Sequence, residues 1–219
     1  LDDLKALQRG MVRIAAPQLL SCTVLPEVMA AFKRVCPDIQ VRLFDSMVES
    51  VLPRVSSGEV DLGVGPERES LPEIEASTLF ELPCVVVFPP GHPLGKKKTV
   101  RWDEAIKHPL IALQGEFTQR LRGDLHEALR DSALTPSTEV GFMTTAFSMV
   151  SMGLGVTTRL PYASTLIKRF QLESRPLVAP QIQRQFFIFT RKDRPLSPAA
   201  QRFAEFLKDY VKAVAWQID

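Results

Sequence analysis

The chain has 219 residues, 45% of them hydrophobic, which is enough to bury the core of one large domain or of two small lobes. Its 27 Lys and Arg residues against 25 Asp and Glu give a net charge of +2, which does not indicate nucleic acid or an anionic membrane as a direct partner of this segment. Cys22, Cys36 and Cys84 are too far apart for a zinc knuckle or redox pair, so we expect no metal and no cofactor, and an odd cysteine count is typical of a reducing cytoplasm.

The first third of the chain alternates between strand-like and helix-like patterns. Leu1, Leu4 and Leu7 share a helical stripe, so residues 1–8 are predicted to be the end of a longer helix. The elements predicted next are a strand at 11–16, a helix at 25–35, a strand at 39–43, a helix at 48–55 and a strand at 60–64. Such alternation predicts a parallel sheet with helices on its faces.

The stretch SGEVDLGVGP at residues 57–66 raises the question of a phosphate-binding loop. A dinucleotide fingerprint needs a third glycine, and Arg68 stands at its position. The following residues, 66–72, have a proline at each end and are typical of a polar turn, not of a helix start. The sequence therefore does not predict a dinucleotide-binding loop at this stretch.

The remaining elements predict a second α/β unit followed by a return to the first. They are strands at 74–80 and 84–88, a helix at 102–107, a strand at 109–113, a helix at 121–129, a strand at 138–142, a helix through 147–150, strands at 155–158 and 184–191, and a helix from Ser197-Pro198 to 214. Two chain crossings predict a hinged pair of lobes: subdomain I at 9–84 and 186–219, and subdomain II at 85–185.

Catalytic chemistry finds little support in the residue pattern. The three histidines, His92, His108 and His126, have no partner acid or nucleophile nearby in sequence, and G-x-S-x-G does not occur. Ligands of α/β sheets bind beyond the carboxyl ends of the strands. The candidate ligand loops are therefore those at 16–21, 45–48, 65–66, 114–118 and 142–145.

The order of several segments resembles one known family. GMVRIAAPQLLSCTVLPEVMAAFKRVCPDIQVRL, SGEVDLGVG, LFELPCVVVFPPGHPL and SMVSMGLGVTTRLP together resemble the effector-binding domain of LysR-type transcriptional regulators, nearly end to end. The resemblance implies a type 2 periplasmic-binding-protein-like fold, with two α/β subdomains, two crossing hinge strands and an interlobe cleft for a small effector. It also implies a cytoplasmic homodimer or homotetramer, DNA binding through a winged helix-turn-helix absent from this chain, and a linker-helix remnant at 1–8.

The resemblance implies a set of ligand-binding residues, which are assigned only by their positions in the sequence. They are Pro17, Gln18, Leu19, Ser46, Val48, Pro66, Gln114, Thr118, Phe142, Met143 and Thr144. Where many relatives have Ser or Thr, this chain has Pro17, Leu19 and Val48, which favours an apolar or aromatic effector. Free N–H groups at the helix start near 19–21 are expected to hold one carboxylate.

Two other functions remain open at the level of sequence. A solute-binding protein of a transporter shares the fold, but the unpaired cysteines argue against secretion. An enzyme on the same scaffold needs an acid or base in the cleft, where the candidate loops offer only Asp45 and Glu116. For self-association, the resemblance points to the helices at 25–35 and 118–131.

Overall fold

The computed structural model describes residues 10–69, 71–129, 133–214 and 216. The predicted helix remnant at 1–8 lies outside these residues. The fold divides into two compact units, one within Leu1–Phe80 and Gln185–Ala215, the other within Glu81–Arg184 and Trp216–Asp219.

The described residues form eleven strands and seven α-helices. The strands are β1 (Gly10–Pro17), β2 (Ile39–Ser46), β3 (Leu62–Pro66), β4 (Ile74–Pro83), β5 (Val85–Phe88), β6 (Val100–Arg101), β7 (Leu110–Leu113), β8 (Thr138–Val140), β9 (Val156–Arg159), β10 (Glu173–Val178) and β11 (Gln183–Arg191). The helices are α1 (Gln18–Val35), α2 (Val48–Ser56), α3 (Trp102–Ala105), α4 (Glu116–Leu129), α5 (Met143–Ser151), α6 (Ser164–Arg169) and α7 (Pro198–Ala213). Short 3-10 turns occur at Pro93–Lys96 and Pro161–Ala163.

The first unit is built on a five-stranded sheet in the order β2-β1-β3-β11-β4. β1 pairs in parallel with β2 and β3, whereas β11 is antiparallel to β3. Phe32 of α1 packs edge-on against Phe203 of α7, with ring centroids 5.1 Å apart, and both rings are fully buried. The last helix therefore contributes Phe203 to the core of this unit.

The glycine-containing stretch leads into β3, as the sequence predicted. Gly58 has a positive φ of 74°, and Asp61 accepts hydrogen bonds from the backbone N–H and Nη2 of Arg13, each 2.8 Å long. A Cβ on Gly63 would lie 2.7 Å from a methyl of Val55. The glycine at 63 therefore allows α2 to pack closely on β3, which is a structural role.

The second unit contains a six-stranded sheet in the order β6-β10-β5-β9-β7-β8. β8 and β9 run parallel to β7, and β5 is antiparallel to both β9 and β10. Trp102 is completely buried, and its indole N–H donates to the carbonyl of Pro180 at 2.9 Å. Trp102 therefore belongs to the core of this unit.

Several element boundaries differ from the predictions. The loop expected at 16–21 was wrong, because β1 ends at Pro17 and α1 begins at the next residue. Pro17 supplies the extended N-cap, with φ −60° and ψ 144°, and Pro26 lies inside the helix. The strands β6 and β10 and the helix α6 had no clear pattern in the sequence, because they are short or interrupted by Pro176.

Candidate functional site

Six of the predicted ligand-binding residues lie at one edge of the first unit. The parallel register pairs Pro17 with Ser46, the last residues of β1 and β2, and Pro66 ends β3. Gln18 and Leu19 open α1, and Val48 opens α2. Because the carboxyl ends of parallel strands share an edge, these residues converge in space.

The helices that follow these strands begin without side-chain caps. Pro17 and Met47, the N-cap residues of α1 and α2, make no side-chain cap hydrogen bond to the described residues. The first N–H groups of a helix have no partner within the helix and attract anions. This edge therefore presents apolar side chains together with backbone donors.

Arg68 also belongs to this edge, although sequence reasoning did not select it as a ligand residue. Its Nη1 donates to the carbonyl of Val48 at 2.6 Å, which ties the segment after β3 to the start of α2. Only the tertiary fold brings residues 48 and 68 together. A lone arginine in a polar turn carries no sequence signal for such a contact.

The second unit brings its five predicted residues to a corresponding edge. β7 pairs in parallel with β8, with Leu113 opposite Val140, and the backbone N–H of Gln114 donates to the carbonyl of Val140 at 2.9 Å. Thr118, in the first turn of α4, is buried and donates its hydroxyl to the carbonyl of Leu113. Its hydroxyl therefore closes the strand-to-helix turn.

The loop after β8 supplies the other three residues. Phe142 is the N-cap of α5 and is 40% exposed, whereas Met143 is buried and Thr144 is half-buried. Like Pro17 in the first unit, Phe142 makes no side-chain cap hydrogen bond to the described residues. An apolar N-cap residue without a side-chain cap hydrogen bond thus recurs at this edge.

A buried cation at the same edge escaped the sequence analysis. Arg159 is the last residue of β9 and is only 2% exposed, with its guanidinium carbon 5.8 Å from the ring centroid of Phe147 and 5.9 Å from that of Tyr162. Burial lowers the pKa of Arg159 to about 10. The group remains a cation at neutral pH, inside the protein.

His92 and His108 lie against each other, and no carboxylate among the described residues is paired with either of them. The Nδ1 of His92 accepts the backbone N–H of Leu94 at 3.3 Å, and its ring lies edge-on to His108 with centroids 4.5 Å apart. Among the described residues, no three His, Cys, Asp or Glu side chains are placed to hold a metal ion. The same part of the chain contains no helix both long and apolar enough to span a membrane.

Comparison with known families identifies a close match. The sequence model described as LysR substrate binding domain matches residues 5–212. The HTH-type transcriptional regulator YbhD of Escherichia coli (strain K12) is 30% identical over 205 residues, covering 94% of this chain and 65% of YbhD. The transcriptional dual regulator GltC of Bacillus subtilis (strain 168) is 30% identical over 213 residues, covering 94% of this chain and 69% of GltC. The chain thus spans about two thirds of the length of these relatives.

Solved structures show the same fold. The effector-binding domain of QuiR in complex with shikimate superposes with a TM-score of 0.80 at 21% identity, covering 93% of this chain and 98% of that one. The CcmR regulatory domain of Synechocystis PCC6803 in complex with 2-PG gives a TM-score of 0.79 at 20% identity, covering 94% and 99%. The predicted type 2 periplasmic-binding-protein-like fold is confirmed. The match to regulators favours the regulatory interpretation over a solute-binding protein.

Proposed function

The chain belongs to the LysR substrate binding domain family, and from that premise we propose that it senses a small-molecule effector on behalf of a DNA-binding transcriptional regulator. DNA is bound, in this proposal, by a winged helix-turn-helix outside these 219 residues. The protein acts in the cytoplasm and has no catalytic activity of its own. The family match over residues 5–212 carries the proposal.

We propose that the residues at the carboxyl edge of each sheet bind effector. In the first unit these are Pro17, Gln18, Leu19, Ser46, Val48 and Pro66; in the second they are Gln114, Thr118, Phe142, Met143 and Thr144. The apolar side chains at 17, 19 and 48 favour an apolar or aromatic body, and the uncapped starts of α1 and α2 favour a carboxylate. QuiR and CcmR are likewise described with small organic molecules bound.

A thermal unfolding screen tests this proposal. A ligand that binds only the folded chain raises the unfolding midpoint, by about 2.7 kcal/mol of stability at 100 times its Kd. The panel contains aromatic acids, aliphatic dicarboxylates and sugar phosphates. We expect one class to raise the midpoint; a panel in which only small polyanions act would contradict the apolar pocket.

Two variants of the first unit locate the response. Ser46→Trp places a large ring at the carboxyl end of β2, and Met11→Trp places the same ring near the amino end of β1, where Met11 is 51% exposed. We expect Ser46→Trp to abolish the midpoint rise and Met11→Trp to keep it. Equal midpoint rises in both variants would show that the effector does not bind at this edge.

We also infer that two or four copies of the chain associate, with α1 and the segment 118–131 in the contact. A groove of about 310 Å³ lies between α1 and β2, lined by Met29, Phe32, Lys33, Ile39, Gln40 and Val41. Val35, at the end of α1, is 58% exposed. Sedimentation of Met29→Glu tests the inference: we expect a shift to monomer, and an unchanged oligomer would exclude this surface.

A further inference from the structure

Arg159 occupies a defined place at the carboxyl edge of the second unit. β9 pairs with β7 in parallel, with Val156 opposite Leu110 and Thr157 opposite Ile111. Continuing this register by two residues from Thr157 places Arg159 opposite Leu113, the residue before Gln114. The buried cation therefore lies at the same edge as the strand-to-helix turns that begin α4 and α5.

The guanidinium of Arg159 has no hydrogen-bond partner within the part of the chain that the structure describes. Its Nε, Nη1 and Nη2 are all buried and make no hydrogen bond there. Phe147 and Tyr162 present their rings to the guanidinium. These ring contacts leave the N–H donors of the guanidinium without an acceptor, because an aromatic ring offers no oxygen or nitrogen lone pair in its place.

Neighbouring side chains do not neutralise this charge. Cys84 is fully buried, and burial raises the pKa of its thiol to about 11, so the sulfur is not a thiolate counter-ion at neutral pH. Asp124 is paired with Arg184 at 2.7 Å, and the Nε and Nη2 of Arg184 are themselves buried without a bond among the described residues. Asp124 is therefore engaged by Arg184 and forms no ion pair with Arg159 among the described residues.

An unpaired buried cation is unfavourable, and ring contacts offset only part of that cost. An anion with several acceptor oxygens would offset the rest of this cost, because a planar guanidinium binds such anions best. We propose that Arg159 binds an oxyanion group of the effector, carboxylate or phosphate, at the edge of the second unit. This inference rests on the proposed function and gives that effector a required charge.

The probes are benzoate, phenyl phosphate and neutral benzamide, added to the dialysed chain in a buffer free of phosphate. We expect benzoate or phenyl phosphate, but not benzamide, to raise the unfolding midpoint by about 5 °C near saturation. The better of the two anions distinguishes a carboxylate effector from a phosphate effector. An equal effect of benzamide would overturn the inference, and so would no effect of either anion.

Variants connect the anion response to one side chain. Arg159→Met should abolish the response, and Arg159→Lys should keep a reduced one because an ammonium lacks the planar fork. The matched control is Arg175→Met in the same unit, whose guanidinium is already bonded to the carbonyls of Lys97, Ser174 and Gly95; it should keep the full response. A response that survives in Arg159→Met overturns the inference.

The ligand-free midpoint provides a second readout. Without its anion, wild-type protein holds an unpaired buried charge, so Arg159→Met should unfold at the same temperature as wild type or higher. A fall of about 10 °C would assign Arg159 a structural role instead. If neutral benzamide binds while the anions do not, the sensing function stands and the role of Arg159 fails. If no compound of any class binds, both fail.

Discussion

Gly155 should be among the least replaceable residues of the second unit. Its φ is +154°, and a Cβ built on it would lie 2.2 Å from the carbonyl oxygen of Pro109. That same oxygen accepts the N–H of Val156 at 2.9 Å, at the start of β9. Backbone strain contributes about 1–3 kcal/mol and forced displacement of a packed backbone about 1–3 kcal/mol. We expect Gly155→Ala to lower the free energy of unfolding by about 4 kcal/mol.

Gly153→Ala is the matched control, two residues earlier in the same turn. Gly153 has a φ of +75°, but a Cβ there meets no atom within 4 Å, so only the left-handed backbone cost of about 1–2 kcal/mol applies. At 2–4 °C per kcal/mol, the midpoints should fall by about 8–16 °C for Gly155→Ala and about 2–8 °C for Gly153→Ala. Urea titration gives both free energies. Equal losses would refute the assignment of the cost to the Pro109 contact.

Packing, thiol reactivity and histidine protonation give three further expected outcomes. Gly63→Ala should lower the free energy of unfolding measured in urea by about 1–3 kcal/mol, because its Cβ would lie 2.7 Å from a side chain of α2. Gly65→Ala should lower it less, because the nearest atom to its Cβ is 3.4 Å away. The reverse order would contradict this packing argument. Mass spectrometry after brief iodoacetamide treatment should find Cys22 modified and Cys84 intact. Cys22 is exposed, whereas burial raises the pKa of the Cys84 thiol to about 11. Early labelling of Cys84 would contradict this prediction. Burial and the neighbouring His108 lower the pKa of His92, so the unfolded chain binds a proton there before the folded chain does. Its contribution to stability is present above the unfolded pKa of about 6.5 and is lost as pH falls from there through the lower folded pKa. His92→Asn should show a smaller loss of stability between about pH 7 and pH 5, and an unchanged loss would exclude this residue.

The sequence predicted the first unit well because its elements carry strong local signals. β1, β2 and β3 are apolar or alternating runs, and the last helix begins at Ser197-Pro198, where the Ser197 hydroxyl caps the N–H of Ala200 at 3.2 Å. The start of α1 was missed because Pro17 and Pro26 both suggest loop structure. In the fold, one proline serves as N-cap and the other is accommodated within the helix.

The candidate site could be predicted only in part. The carboxyl ends of strands are visible in the sequence, so residues such as Ser46 and Gln114 were selected by position and remain predictions as ligand contacts. Arg159 was not visible, because VTTR is typical of a strand end and gives no sign that its last side chain is buried. Whether a buried charge has a partner depends on residues distant in sequence, here at 84, 124 and 147, and only the tertiary structure supplies that information.

Isothermal titration calorimetry of this chain, with the compound class that the thermal screen selects, tests the central claim most directly. The account predicts saturable 1:1 binding of a small organic effector to wild type and to Met11→Trp, with no binding to Ser46→Trp. Binding that is unaffected by Ser46→Trp, or no heat of binding from any class in the panel, would contradict an effector-sensing role at these strand ends.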